Sequence, residues 1–339
     1  MRARHIIIAA VLAAGLALVW DGERSTTRGA ASEAAVRKTS QAGQNIGPDG
    51  ARSMDPVWQP VAERLVRDGI PRDAVDSYFS DPSVTFDASI MAHKVDRIVR
   101  KRFDPQPAPT KRTLQQSSYG HYLKPWVLAW AGDYARANQA ALQKAEAAYG
   151  VPQDIIVALL LVETKLGTFL GKDEAFQVLA SMAASDSLAS IRPYLTTVGQ
   201  NADRAAYADA SAKDRAEWAY QELKALILHA RASGKNPLLI PGSIYGAIGI
   251  CQFMPTNIAR FGADGDGDGR VDLFNSDDAI FSVASYLAGH GWKVGIGPDG
   301  RKTVIYAYNH SDLYVLGVLT VADSMRRARG EAPLQPAKP

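Results

Sequence analysis

Cysteine is almost missing from this 339-residue chain, in which Cys251 stands alone. No intrachain disulfide can form, and no cysteine-based metal centre can be assembled. Its neighbours Ile250 and Phe253 make Cys251 a small buried hydrophobe rather than a reactive thiol. A strong excess of charge is also missing: 38 Lys and Arg face 35 Asp and Glu, a net charge of +3. That balance gives no support to a nucleic-acid partner. The six histidines show no H-x-x-x-H spacing, which removes the usual zinc signature. There is no P-loop. "GIGPDG" at 295–300 matches G-x-G-x-x-G only nominally, because Pro298 lacks the amide a phosphate would need and Asp299-Gly300 signals a turn. His310, Ser311 and Asp312 are consecutive, so their side chains diverge and cannot form a triad.

What is present suits an exported globular protein. The chain is 47% hydrophobic and 22% charged, enough apolar content for a sizeable core. Arg2, Arg4 and His5 precede an apolar run from Ile6 to Trp20, too short for a comfortable span. Residues 1–20 therefore read as a secretory signal, with an uncleaved inner-membrane anchor as the rival. With no cysteine near this run, a lipoprotein is excluded. The expected location is the periplasm or cell envelope. Residues 21–50 read as a flexible linker, 51–112 as a smaller helical segment, 113–330 as an almost wholly helical domain and 331–339 as a disordered tail. Helix caps are expected at Asp154, Asp278 and Asp312, and weak β-alternation only around Thr303 to Tyr306. The protein is expected to be monomeric.

Helix 152–166 carries the first chemical clue. Pro152 and Asp154 suit its positive end, and "IIVALLLV" is apolar all round, which marks a helix inside the domain. Glu163 continues the stripe of Ile156, Leu159 and Leu160, and Gly167 is expected to end the helix. Burial disfavours a charged carboxyl, so its pKa is expected to rise from about 4.3 toward about 6, where a general acid works near neutrality. The alternative is a Glu that has merely reached solvent. The helix alone does not separate the two.

Asp264, Asp266 and Asp268 at alternate positions, followed by Gly269, match the opening of an EF-hand loop. Arg270 would offer its carbonyl. Asn275 then stands where the closing Glu belongs, and Asp277 or Asp278 could close a longer loop. A structural Ca²⁺ is the reading these residues favour; a solvated Asp-Gly loop is the alternative.

Three ordered blocks now converge: "YGVPQDIIVALLLVETKLG", "GSIYGAIGICQFMPTNIARFGADGDGDGRVDLFNSDDAIFSVASYLAGHGW" and "YNHSDLY". Together they resemble the lytic murein transglycosylase B family, lysozyme-like enzymes that cleave peptidoglycan. The resemblance runs from about Tyr119 to Ala328 and more faintly through residues 56–103. It implies a mainly α, lysozyme-like catalytic domain with an EF-hand-like calcium loop behind a smaller helical segment. It implies that Glu163 is the single catalytic acid and base. Ser243, Gln252, Asn309 and Tyr314 match positions lining the family's sugar cleft. Asp264, Asp266, Asp268, the Arg270 carbonyl and Asp278 match its calcium ligands. The connection from Lys293 to Tyr308 is too short for the partly β insertion some members carry there, so contacts made by such an insert do not transfer.

The implied reaction needs only one carboxyl. Glu163 would protonate the oxygen between N-acetylmuramic acid and N-acetylglucosamine, then act as base while the muramic acid 6-hydroxyl attacks C1, leaving a 1,6-anhydro end. A muramidase would need a second carboxylate to deliver water. Within the matched blocks Asp154 sits at the far end of the helix, the comb aspartates are committed to metal, and Asp312 is expected to be engaged as a cap. Peptidoglycan strands are the expected partner. The rivals are a muramidase and a catalytically idle, calcium-stabilised peptidoglycan-binding protein.

Overall fold

The structure, a computed structural model, describes residues 53–105 and 114–334. The signal or anchor at 1–20, the 21–50 linker and residues 335–339 of the tail lie outside the described residues.

Helices α1 (Gln59–Arg67), α2 (Arg72–Ser80) and α3 (Ala88–Phe103) come first. Next come α4 (Pro125–Ala137), α5 (Gln139–Tyr149) and α6 (Gln153–Thr164). Strand β1 (Asp173–Glu174) leads into α7 (Ala175–Ala183), the short α8 (Leu188–Ile191) and the long α9 (Ala202–Ala232). Strand β2 (Pro241–Gly242) pairs antiparallel with β1, Asp173 facing Gly242. The chain closes with α10 (Pro255–Phe261), α11 (Ser276–Gly289), α12 (Pro298–Tyr308) and α13 (Asp312–Ala328). The fold is mainly α, as the periodicity predicts. Among the described residues no single helix is long and apolar enough to cross a membrane.

Two compact units share the chain. One takes its described residues from Lys111–Val162 and Val283–Pro339; the other from Gly22–Thr110 and Glu163–Ser282. The chain changes unit inside α6, after Val162, and inside α11, after Ser282.

In the first unit α6 is a core helix: every residue from Ile155 to Leu161 is fully buried. Asp154 at its first turn is 3% exposed and binds Arg329 at 2.8 Å and Arg326 at 3.4 Å. Residues 331–334 of the expected disordered tail are tied back instead. The Leu334 amide donates to Asp323 at 2.6 Å and Arg329 holds Glu331 at 2.8 Å. Two further expectations fail here. Thr303 to Tyr306 is not a strand but part of α12, which also takes in Asp299 and Gly300, because Pro298 at the first turn starts a helix at no cost in hydrogen bonds. Asp312 is not the cap of α13: the Ser311 hydroxyl accepts from the Tyr314 amide at 3.3 Å, and Asp312 is the first helical residue, exposed.

The second unit packs α3, α7 and α10 around α9. Trp58, Phe79 and Phe176 form an aromatic cluster under α1 and α2. Asp96 of α3, 5% exposed, is satisfied by the Thr196 and Thr197 amides and hydroxyls.

Candidate active site

Glu163 lies on the last turn of α6 and is half-buried. The helix ends at Thr164, earlier than the expected 166, because three successive residues turn left-handed: Lys165 (φ 50), Leu166 (φ 56) and Gly167 (φ 85). Only the last is a glycine. Non-glycine residues in this region cost about 1–3 kcal/mol each and persist only where the surroundings impose them, and such residues gather at functional sites. The surroundings are visible. The buried Thr164 hydroxyl donates to the Ile250 carbonyl at 2.7 Å and accepts from the Gly167 amide at 3.0 Å. The Phe169 amide donates to the Thr164 carbonyl at 3.0 Å.

The segment that receives Thr164 is a tight double turn. Ile248 and Phe253 exchange backbone hydrogen bonds at 2.8 and 3.0 Å, and the Ile250 amide donates to Leu273 at 2.8 Å. Gly249 has φ 74, and a Cβ there would stand 2.4 Å from the Leu273 Cβ; only glycine lets the segment at Leu273 approach this turn. Gln252 is itself left-handed, at φ 51, and its side-chain amide donates to Leu170 at 3.3 Å and Gly249 at 3.2 Å. Cys251 is fully buried, as its flanks predict. Burial pushes its thiol well up, and the charge of nearby Glu163 adds to the rise, so it is no nucleophile.

Ser243 opens the adjoining hairpin. It is 8% exposed, and its hydroxyl accepts from the Ala247 amide at 3.0 Å and the Tyr245 amide at 3.3 Å. Gly171 lies against it so closely that a Cβ would fall 1.8 Å from the Gly242 carbonyl oxygen. Glu163, Ser243 and Gln252 thus belong to the second unit. Asn309 and Tyr314 belong to the first. Asn309 is buried at the end of α12, its carbonyl accepting from the Ser311 amide at 2.7 Å. Tyr314 is 1% exposed and packs on Tyr308 and Tyr119.

The aspartate comb is folded as a loop. Asp264, Asp266 and Asp268 bring one carboxylate oxygen each within 4.8 Å of one another. Asp264 accepts from the Gly267 and Gly269 amides at 2.6 and 2.8 Å, which hold its carboxyl below the usual range. Asp268 accepts from the Arg270 amide at 2.8 Å. Asp278 is not part of that cluster. It is 1% exposed and reaches back from α11 to the Gly265 amide at 2.7 Å and the Asp272 amide at 2.5 Å. Nor does it cap α11: the Asn275 side chain accepts from the Asp277 amide at 2.8 Å. Burial raises the Asp278 carboxyl. An all-oxygen set that gathers three carboxylates fits a hard cation such as Ca²⁺.

Two further groups escape the sequence patterns. Glu222 on α9 is 4% exposed and holds Thr256. Asp173 of β1 stands opposite Gly242, next to Ser243, and burial followed by the charge of Glu174 raises its carboxyl. Neither stands in a recognisable spacing.

With this geometry in view, comparison with known proteins is decisive. The profile described as the transglycosylase SLT domain matches residues 53–298. The chain belongs to this family. Membrane-bound lytic murein transglycosylase B of Escherichia coli (strain K12) is 36% identical over 155 residues, 46% of this chain and 36% of that protein. The match therefore spans about a third of that relative's length. The solved structure of the E. coli lytic transglycosylase Slt35 in complex with calcium superposes with a TM-score of 0.61 at 23% identity, covering 86% of this chain and 99% of that one. SltB3 from Pseudomonas aeruginosa, in complex with NAG-anhNAM-pentapeptide, gives 0.60 at 21% identity, covering 79% and 78%. The transglycosylase fold, and the family read from the three blocks, are borne out.

Proposed function

We propose that the chain is a peptidoglycan lytic transglycosylase with Glu163 as its sole general acid and base. The observation that carries this is the setting of Glu163: a carboxyl at the end of a helix fully buried from Ile155 to Leu161, with three left-handed residues just beyond it, and braced through Thr164 against the turn at 249–255. Strain of that kind beside a carboxyl is better explained by positioning than by stability. Glu163 donates its proton to the glycosidic oxygen as the bond to C1 of N-acetylmuramic acid breaks. The muramic acid 6-hydroxyl then bonds to C1 and returns its proton to Glu163. No water is consumed. Ser243 and Gln252 are proposed as sugar-binding residues of the second unit, and Asn309 and Tyr314 as sugar-binding residues of the first. Their role is to hold the sugar near the geometry of attack. The anhydro-sugar ligand of the SltB3 relative supports this product.

The 264–278 loop is proposed to hold one structural Ca²⁺ through Asp264, Asp266 and Asp268, with the Arg270 carbonyl and Asp278 completing the set. The calcium complex of the Slt35 relative supports it. When bound, the ion supplies charge that ties the loop down; it takes no part in the chemistry. Action in the cell envelope follows from the substrate, and the membrane-bound relative is consistent with it.

A muramidase remains the second reading, because Asp312 is exposed rather than engaged as a cap and Asp173 stands beside the Ser243 hairpin. The products decide. Digestion of purified sacculi followed by mass analysis is expected to give muramic acid ends one water lighter than hydrolysed ones and inert to borohydride. Reducible ends would overturn the transglycosylase reading, and Asp173→Asn and Asp312→Asn would then be compared for loss of hydrolysis.

A further inference from the structure

The turn bearing Gln252 is held from two sides. On one side the Thr164 hydroxyl, next to Glu163, grips the Ile250 carbonyl. On the other side the grip comes from α9. There the Glu222 carboxylate accepts from the Thr256 amide at 2.9 Å and from the Thr256 hydroxyl at 2.8 Å. Thr256 lies in the first turn of α10, whose own N-cap residue, Met254, contributes no side-chain hydrogen bond. Glu222 does from a neighbouring helix what a local cap would otherwise do.

That arrangement is costly for stability alone. Burying a carboxylate forfeits several kcal/mol of hydration, and a leucine would fill the site without that loss. Burial accordingly raises the Glu222 carboxyl, with only the two Thr256 bonds opposing it. What the carboxylate supplies that a leucine cannot is direction: two acceptor oxygens that fix where α10 begins and hence where the turn before it ends. Between the two grips the chain has little freedom, with Gln252 left-handed and the Ile248–Phe253 pair closed on both sides.

We propose that Glu222 is a positioning residue for the cleavage reaction, clamping Thr256 so that the turn at 249–255 holds the backbone beside Glu163 in place. This rests on the activity proposed above. Glu222 touches no reacting atom. It acts through Thr256, the turn and the Ile250–Thr164 bond, so its loss is felt in the chemical step more than in substrate binding.

Glu222→Gln can keep both bonds, since its amide oxygen accepts from the Thr256 amide while its NH₂ donates to the hydroxyl. Glu222→Ala keeps neither. On soluble glycan strands, well below the melting temperature, Glu222→Ala is expected to lower kcat about tenfold with KM nearly unchanged, less than the ~100-fold that a 1 Å displacement can cost. Glu222→Gln is expected to stay close to the parent. Thr256→Val, which removes only the hydroxyl, should fall between and serves if the alanine variant does not fold. Hydrogen exchange gives a readout independent of activity: the Ile248, Phe253 and Thr256 amides should exchange faster in Glu222→Ala while those of α7 do not. Parental kcat in folded Glu222→Ala or in Thr256→Val, or a Gln variant as impaired as the Ala variant, overturns the inference. An inactive parent overturns the proposed activity and the kinetic claim with it, whereas unchanged exchange at the three amides overturns the clamp itself.

Discussion

Helix α6 carries a carboxylate near each end, and the two are treated in opposite ways. Asp154 sits at the positive end of the helix dipole, almost wholly buried, with two arginines on it. Its charge is fully answered. Glu163 sits at the negative end, half-buried, where the dipole opposes an ionised carboxylate and the chain beyond it is bent into three left-handed residues. The two ends of the helix thus differ in burial and in the backbone that follows them. The lesson is that burial and acidity alone do not set the Glu163 end apart; what is particular to it is backbone strain held in place by its neighbours.

The largest expected effect tests the Glu163 end. Glu163→Gln is nearly isosteric but cannot deliver a proton, and general acid–base catalysis is worth roughly 10²–10⁴-fold. Cleavage of sacculi should fall to background while the thermal unfolding curve stays within a degree or two of the parent. Comparable solubilisation by mutant and parent would end the assignment. Binding without cleavage by both proteins would instead favour an idle peptidoglycan-binding protein.

Asp154→Ala tests the answered end, and its signature should be the reverse. Removing one partner of a buried ion pair typically costs about 3–5 kcal/mol, and here Arg329 and Arg326 keep Glu331 as a second partner. The arginines are partly exposed, so the low end of that range is expected. Urea unfolding should show the loss, while kcat of the folded fraction is unchanged. If activity per folded molecule fell instead with stability intact, the contrast between the two ends would collapse.

The elements of this comparison are legible in the sequence only in part, and the reasons are specific. The apolar run before Glu163 admits no reading other than a core helix, and alternate aspartates followed by glycine are a strong loop signal. The strained stop was not legible, because Lys165 and Leu166 have no preference for left-handed backbone; Thr164 and Phe169 impose it. Ser311 and Asp312 are both good caps, and only the observed hydroxyl bond to Tyr314 separates them. Thr303 to Tyr306 looks like a strand by residue type, but the helix started by Pro298 overrides that local preference. Glu222 reads as an ordinary solvent-facing residue of a long helix until packing buries it against Thr256.

Calcium sharpens the comparison from a third side. The comb aspartates are surface groups held by backbone amides of their own loop and by Asn275, so a bound cation would answer their charge as the arginines answer Asp154. Ligand linkage at ~100 times Kd adds roughly 2.7 kcal/mol. The melting temperature should therefore rise with added Ca²⁺ and fall with chelator in the parent, and do neither in Asp268→Ala. An unmoved parent, or an equal shift in the variant, would refute the site.

The smallest expected effect comes from a carboxylate that is answered at the surface, and it tests whether burial rather than pairing makes Asp154 important. Glu217 of α9 receives both guanidinium arms of Arg64 from α1, at 2.6 and 2.7 Å. The Arg64 hydrogen bonds, with help from Gln221, pull its carboxyl down to about 2. A depressed pKa means the folded state prefers the ionised form, so the pair's contribution is present above the ordinary carboxyl pKa of about 4.3 and is lost as pH falls toward 2. The Glu217 side chain is 53% exposed, so water and salt screen the pair. Exposed pairs are worth only about 0.2–1 kcal/mol, and this well-formed two-armed one should sit near the top of that range. Glu217→Gln should then lower stability slightly at pH 7, by less at higher salt, and the gap to the parent should close as both are taken down toward pH 2. A loss as large as that of Asp154→Ala, or one independent of pH and salt, would show that pairing geometry outweighs burial in this fold and would undo the distinction drawn between the two ends of α6.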